Sequence, residues 1–211
     1  MYLDRTYRPR RRRRMWLDYW PLYLLIALAI ILYEQQPSWL APRNPTPTPV
    51  PTRAAIAFIA DANIARAAGD YGVALAAYGQ AATLEPNNVE ALVALAEIEL
   101  MFNNASVALD YAKRAVDASP QDVRALTVLA RAFNWTDDNE SAINAAFDAL
   151  ELAPDDSSAL AVVGEIYADE GSWSQAETYL AQALAKDPNN VLALRNRAYY
   201  FELRRDYEQA I

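Results

Sequence analysis

A proline returns every 34 residues through most of this 211-residue chain, at Pro86, Pro120, Pro154 and Pro188. The interval divides the chain into units 55–88, 89–122, 123–156 and 157–190, followed by a partial unit at 191–211. A fixed period of this length is typical of repeat architectures, in which one small structural element recurs and stacks on its neighbours. The period therefore constrains the fold more than any other feature of the sequence.

Small residues recur at the same places in every unit. The eighth residues are Ala62, Ala96, Ala130, Gly164 and Ala198, and the twentieth are Ala74, Ala108, Ala142, Ala176 and Ala210. A large apolar residue stands fourth, as Phe58 in the first unit and as leucine in the others. Because small residues let two helices approach closely, each unit predicts a pair of packed helices.

Residues that favour helix N-termini precede each predicted helix. They are Asn88, Asp122, Asp156 and Asn190 before the first helices, and Asp70, Asn104, Asp138, Ser172 and Asp206 before the second helices. Their side chains accept hydrogen bonds from the free N–H groups of the first turn. The repeated prolines lie just beyond the second helices, where a helix must stop. The sequence predicts no strand in this region.

This pattern resembles the tetratricopeptide repeat (TPR) family over residues 54–211. An aromatic residue at the eleventh place, as Phe133, Tyr167 and Phe201, adds to the resemblance. The resemblance implies antiparallel helix pairs stacked into a right-handed superhelix, in which each pair contacts only its neighbours. The predicted fold class is therefore all-α: a TPR α-solenoid of four full repeats plus a partial fifth. One transmembrane helix and a Pro/Thr-rich linker precede it.

The first 53 residues predict a membrane anchor and a stalk. Residues 1–15 form a basic tail, and residues 16–36 contain an uncharged stretch flanked by aromatic residues. This stretch predicts a transmembrane signal-anchor helix near the lower length limit for a span. Residues 37–53 hold six prolines, which favour an extended polyproline linker. A cleaved signal peptide and a twin-arginine export signal are the alternatives.

The distribution of charge predicts the orientation of this anchor. Residues 1–14 hold seven arginines, and basic flanks stay on the cytoplasmic side of a membrane. We therefore expect a single-pass protein of the bacterial cytoplasmic membrane, with its N-terminus in the cytoplasm and the TPR domain outside. Apolar residues from Tyr199 to Tyr207 lie near the end of the repeats. They lead us to expect that the natural chain continues past Ile211 or that a partner covers this end.

The residue types exclude several functions. The chain contains no cysteine and no histidine, which removes disulfides, the preferred zinc ligands and His-based catalysis. Phosphate-binding loops and nucleophile motifs are also missing from the sequence. We therefore expect no enzymatic activity, no cofactor and no metal site.

The repeat region is strongly acidic. Residues 54–211 carry ten Lys and Arg against 24 Asp and Glu, a net charge of −14. Such a surface repels phosphate backbones and anionic lipids, which disfavours nucleic acid as a partner. A basic or neutral protein surface is the expected partner, and solubility alone is the alternative role of this charge.

The resemblance places a ligand groove on the concave side, lined mainly by the first helix of each unit. Candidate partner-binding residues there are Asn63, Arg66, Glu97, Met101, Arg124, Arg131, Trp135, Glu165 and Tyr199. We expect Arg124 and Arg131 to form a small basic centre between acidic patches. Trp135 is the candidate anchor of a partner, because large aromatic residues with a polar N–H suit interface hot spots; packing within the turn is the alternative.

Related TPR modules bind the carboxylate of an acidic peptide with a lysine-rich clamp. Ile59 and Val128 stand where basic residues would be needed for that clamp. The resemblance therefore implies a groove with a different ligand.

These features together predict a membrane-anchored scaffold for protein–protein interaction, as a structural or assembly subunit of a larger membrane complex. The alternative is an extracytoplasmic adaptor or chaperone in secretion, pilus or cytochrome-maturation assembly. Protein partners would bind through the concave groove and the exposed C-terminal end, with no nucleic acid and no small-molecule substrate.

Overall fold

The computed structural model describes residues 19–34 and 54–206, which fall into two separate units of the chain, 1–51 and 52–211. The described part of the first unit is a single helix, α1 (Trp20–Glu34). The described part of the second unit consists of nine helices without a strand. The predicted all-α class is thereby confirmed for the described residues.

Eight of the nine helices form the four predicted pairs, with short turns between them. The first two pairs are α2 (Ala55–Ala67) with α3 (Tyr71–Leu84), and α4 (Val89–Met101) with α5 (Ala105–Ala118). The next two are α6 (Val123–Asn134) with α7 (Asn139–Leu152), and α8 (Ser157–Asp169) with α9 (Trp173–Lys186). The first helix of the fifth unit is α10 (Val191–Leu203).

Side-chain caps begin most of these helices, as predicted. The capping residues that accept a first-turn backbone N–H are Asp70, Asn88, Asp122, Asp138, Asp156 and Asn190. Asn104 and Ser172 occupy the cap position without making that hydrogen bond. The amide of Asn104 donates instead to the carboxylate of Glu99, 2.8 Å away. Asp206 precedes residues that lie outside the described ranges.

The turn between the two helices of each unit has the same backbone conformation throughout. The fifteenth residue of every unit lies in the left-handed region, with φ of 80° and 74° at Gly69 and Gly171 and of 62°, 61° and 59° at Asn103, Asp137 and Arg205. A left-handed residue just past a helix ends it and redirects the chain. Glycine, asparagine and aspartate adopt this conformation most readily.

The first helices form the inner layer of the array. The first helices α4, α6 and α8 each contact the first helix of the next unit and the second helix of their own unit. Second helices of neighbouring units make no comparable contacts in the described residues. The small residues lie in the interfaces, where Ala62, Ala96 and Ala130 are fully buried. Side chains that point inward from the first helices therefore share one surface.

Helix α1 lies within the predicted anchor at 16–36 and contains 15 residues. Its apolar side chains up to residue 31 are exposed. No helix within residues 19–34 and 54–206 combines the length and apolarity of a membrane span. The predicted span over 16–36 is therefore not confirmed.

The remaining N-terminal predictions concern residues outside the described ranges. They are the ends of the anchor at 16–18 and 35–36, the basic tail at 1–15 and the linker at 37–53.

Candidate protein-binding groove

The ninth residue of each unit forms a polar column along the inner layer. These residues are Asn63, Glu97, Arg131, Glu165 and Tyr199, and all five were predicted from the sequence. Because neighbouring first helices contact each other, polar side chains of one unit meet those of the next. The column therefore becomes a chain of contacts between units.

The N-terminal cluster joins the first two units and consists of Asn63, Arg66, Tyr78, Glu90 and Glu97. The guanidinium of Arg66 lies 3.0 Å from the carboxylate of Glu97, and the amide of Asn63 donates to Glu90 at 3.2 Å. The Tyr78 hydroxyl donates to the side-chain oxygen of Asn63, and burial raises the pKa of this tyrosine. The Arg66–Glu97 pair is almost half exposed, so that it contributes only about 0–1 kcal/mol.

The C-terminal cluster joins units three, four and five and is centred on Glu165, with Arg131, Trp135, Arg195 and Asn196 around it. The Glu165 side chain is only 4% exposed. Its Oε1 accepts from the indole N–H of Trp135 at 2.9 Å, and its Oε2 accepts from the amide of Asn196 at 2.8 Å. Arg195 Nη2 lies 3.5 Å from Oε1, and Arg131 Nε lies 3.7 Å from Oε2. These four partners offset the cost of burying the carboxylate.

Arg131 and Trp135 are part of this buried network. Burial lowers the pKa of the Arg131 guanidinium, and the nearby carboxylate of Glu165 opposes that effect. The guanidinium carbons of Arg131 and Arg195 each lie 6.0 Å from the centroid of the Trp135 ring, within reach of cation–π attraction. The N–H of Trp135 is therefore bound within the chain, and the residue is partly buried against the core.

Asp169 links the same units through two further hydrogen bonds. Its Oδ2 accepts from the amide of Asn134 at 2.6 Å, and its Oδ1 accepts from the hydroxyl of Tyr199 at 2.7 Å. Burial, together with this hydrogen bond and the negative charge of Asp169, raises the pKa of Tyr199 to about 12. The phenol therefore remains a donor at neutral pH.

A cleft of about 790 Å³ opens beside the C-terminal cluster. Its lining is mostly polar and consists of Asn103, Asn134, Trp135, Asp137, Asn139, Glu165, Asp169, Arg195, Asn196, Ala198, Tyr199 and Glu202. Within the described residues, acidic side chains do not gather into a group that could hold a metal ion. The cleft has the size of a small-ligand site, but lacks the mainly apolar walls of one.

Three of the candidate residues lie outside both clusters: Tyr199, which is bound to Asp169, and Arg124 and Met101. Arg124 is exposed in the first turn of α6, with its guanidinium 3.4 Å from the carboxylate of Asp122. Met101, at the end of α4, is 53% exposed. Because Arg131 is buried against Glu165 while Arg124 pairs locally, the expected basic centre does not form. Contact with a partner stays a prediction for all nine candidates.

Sequence reasoning missed Asn134 and Asn196, which both line the cleft. Asn196 stands at the sixth place of its unit, where the preceding units have Ala60, Ala94, Val128 and Val162. A polar residue in an otherwise apolar column is a signal that could have identified it. The twelfth residues of the units, which include Asn134, vary too much in type to give a comparable signal.

Comparison with known proteins agrees with this architecture. The tetratricopeptide repeat model matches residues 59–123, 104–158 and 164–211. Among solved structures, the TPR protein TTC0263 from Thermus thermophilus has a TM-score of 0.62 at 24% identity, covering 74% of this chain and 98% of its own. No curated protein sequence matches the chain.

Two further solved structures share the fold. MamA has a TM-score of 0.53 at 22% identity, with 74% of this chain and 85% of its own covered. YrrB, described as a TPR protein with an unusual peptide-binding site, has a TM-score of 0.52 at 20% identity, with 88% and 87% covered. At these identities the structures show the fold alone. With family matches along more than half of its length and the helix pairs in place, this chain belongs to the tetratricopeptide repeat family.

Proposed function

We propose that this chain is a scaffold that binds a segment of a partner protein along the inner surface of α2, α4, α6, α8 and α10. The observation that carries the proposal is the polar column at the ninth place, whose side chains are held by contacts between units. Side chains already held in place lose little conformational entropy when a partner binds. The peptide-binding site reported for YrrB supports the use of this fold for such a task.

The cellular setting that we propose is a membrane complex. The chain would be one of its structural or assembly subunits, anchored through residues 16–36 in the bacterial cytoplasmic membrane, with the repeats outside the cytoplasm. Support comes from the seven arginines that precede the apolar stretch and from the exposed apolar side chains of α1. Basic residues before such a stretch favour a cytoplasmic N-terminus.

The experiment that tests the scaffold function compares two matched variants of the full-length chain. Met101 on α4 and Val73 on α3 are both 53% exposed, but Met101 belongs to a first helix and Val73 to a second. Met101→Asp places a charge at a predicted groove position, whereas Val73→Asp places the same charge on a second helix. Tagged protein is isolated in mild detergent from its native host, and copurifying proteins are quantified.

We expect Met101→Asp to lose partners that Val73→Asp retains. Equal retention by both variants would contradict binding in the groove. A fixed ratio of partner to scaffold indicates a structural subunit, whereas a ratio that falls as the complex matures indicates an adaptor or chaperone. Digestion of the repeats by protease only from the outer face of sealed membranes supports the proposed location.

A further inference from the structure

One polar atom in the cleft has no partner within the described chain. Asn134 is only 6% exposed and lines the cleft. Its amide nitrogen donates to Asp169 at 2.6 Å, which fixes the orientation of the amide because a carboxylate accepts only from a donor. The opposite atom, Oδ1, makes no hydrogen bond to any residue that the structure describes. A buried acceptor left in this way needs a donor that the described residues do not supply.

The charges around Asn134 indicate which donor fits. Asp137, Asp169 and Glu202 line the same cleft, and none of them forms an ion pair with another described residue. Arg131 and Arg195 lie close by, but both are directed at Glu165. The cleft therefore retains an excess of negative charge beside an unused hydrogen-bond acceptor.

We propose that the cleft accepts a basic side chain, arginine or lysine, from the protein segment bound in the groove. The cation would donate to Asn134 Oδ1, with the Asp169 carboxylate beside it and Trp135, which also lines the cleft, nearby. Charge-assisted hydrogen bonds of this kind are stronger than neutral ones. The inference depends on the proposed groove function and adds to it the chemical class of the ligand.

The test measures binding of small probes to the full-length, ¹⁵N-labelled protein by NMR. Nα-acetyl-arginine methylamide and Nα-acetyl-lysine methylamide carry the proposed cation. Their neutral counterparts, in which citrulline or Nε-acetyl-lysine replaces the charged residue, keep a similar shape. The signals to follow are the side-chain amide of Asn134 and the indole N–H of Trp135.

We expect at least one cationic probe to shift both signals saturably. Its neutral counterpart should bind at least about fivefold more weakly, because it cannot form the charge-assisted hydrogen bond. Asn134→Leu removes the acceptor and should abolish binding. The matched control is Asn144→Leu on the second helix α7, because Asn144 is exposed and does not line the cleft. This control should leave probe binding unchanged.

A second variant keeps the test decisive if Asn134→Leu disturbs the fold. Asp137→Asn removes one charge at an exposed position with φ of 61°, a conformation that asparagine also adopts. It should weaken binding about two- to fivefold, as expected for an exposed charge pair. Added salt should then affect the variant less than the natural protein.

Three outcomes would overturn the inference: no shift with either cation, equal shifts with charged and neutral probes, or full binding by both cleft variants.

Failure of this inference is distinguishable from failure of the scaffold function. If Met101→Asp still loses partners that Val73→Asp keeps while the probes fail, the groove function stands without the basic ligand. If a cationic probe binds but both variants retain the same partners, the cleft is a cation site outside the partner interface, and the inference as stated is wrong.

Discussion

Two helices of the fourth unit pack very closely where Gly164 on α8 faces Leu180 on α9. A Cβ placed on Gly164 would lie 2.6 Å from Cγ and 2.9 Å from Cδ2 of Leu180, and 3.3 Å from the carbonyl oxygen of Ala176. Leu180 is only 1% exposed, so that it has little room to move. The other units have alanine at the place of Gly164. We therefore predict that Gly164 and Leu180 are energetically coupled.

The magnitudes of the single substitutions follow from helix propensity and packing. Gly164→Ala gains about 1 kcal/mol of helix propensity but loses about 1–3 kcal/mol through overpacking. Its net effect is a destabilisation of about 1 kcal/mol, the difference between these two terms. Leu180→Ala leaves a cavity and costs about 3 kcal/mol, as is usual for a buried leucine.

The double variant is expected to be more stable than the sum of these effects. With Leu180 shortened, the new methyl group enters the vacated space, and the pair becomes Ala and Ala, as at Ala96 and Ala112 in the second unit. We expect a total cost of about 2 kcal/mol instead of about 4, which is a coupling of about 2 kcal/mol.

The assay is equilibrium urea unfolding of the full-length protein, followed by far-UV circular dichroism. The matched control combines Gly164→Ala with Leu92→Ala, because Leu92 is equally buried but lies on α4. The control pair should be additive within about 0.5 kcal/mol. If Gly164→Ala with Leu180→Ala were also additive within that range, the proposed packing would be refuted.

Three further predictions concern the caps, the C-terminal cluster and the groove. Asp70→Ala removes a capping hydrogen bond and should cost about 1 kcal/mol in urea unfolding. Ser172 makes no such bond, and Ser172→Ala should cost only about 0.3 kcal/mol, the range of an ordinary surface substitution; equal costs would contradict this difference. Asn196→Ala removes one of the donors to Glu165 and the donor to the carbonyl of Ala161, and it should lower the free energy of unfolding by about 2 kcal/mol. An unchanged midpoint would show that the network is dispensable. The Tyr199 hydroxyl should ionise near pH 12. The stability that this hydroxyl contributes is therefore complete below the ordinary tyrosine pKa and is lost as the pH rises towards 12. An ultraviolet titration compared with Tyr199→Phe checks this, and ionisation near pH 10 would contradict it.

Local features of the fold were predictable because each depends on a few neighbouring residues. The cap at Asp122 is an example, since a capping side chain acts on the backbone of the next turn. The cap at Asn190 is a second example, for the same reason. Repetition of these signals every 34 residues made the helix pairs and their stacking predictable.

Contacts within the groove were less predictable because they depend on which first helices face each other. The sequence identified Glu165 and Arg131 as groove residues, but not that they would be buried as a pair. It consequently suggested a basic centre with Arg124, which pairs with Asp122 instead. The unpaired oxygen of Asn134 emerged only from the three-dimensional arrangement.

The most direct test of the central claim is site-specific photo-crosslinking of the full-length chain in its native host. A photoreactive phenylalanine replaces either Tyr199 on α10 or Trp173 on α9, two aromatic residues that are 37% and 39% exposed. We predict that position 199 crosslinks to a partner protein and that position 173 does not. Crosslinking from position 173 without crosslinking from position 199 would contradict binding along the first helices.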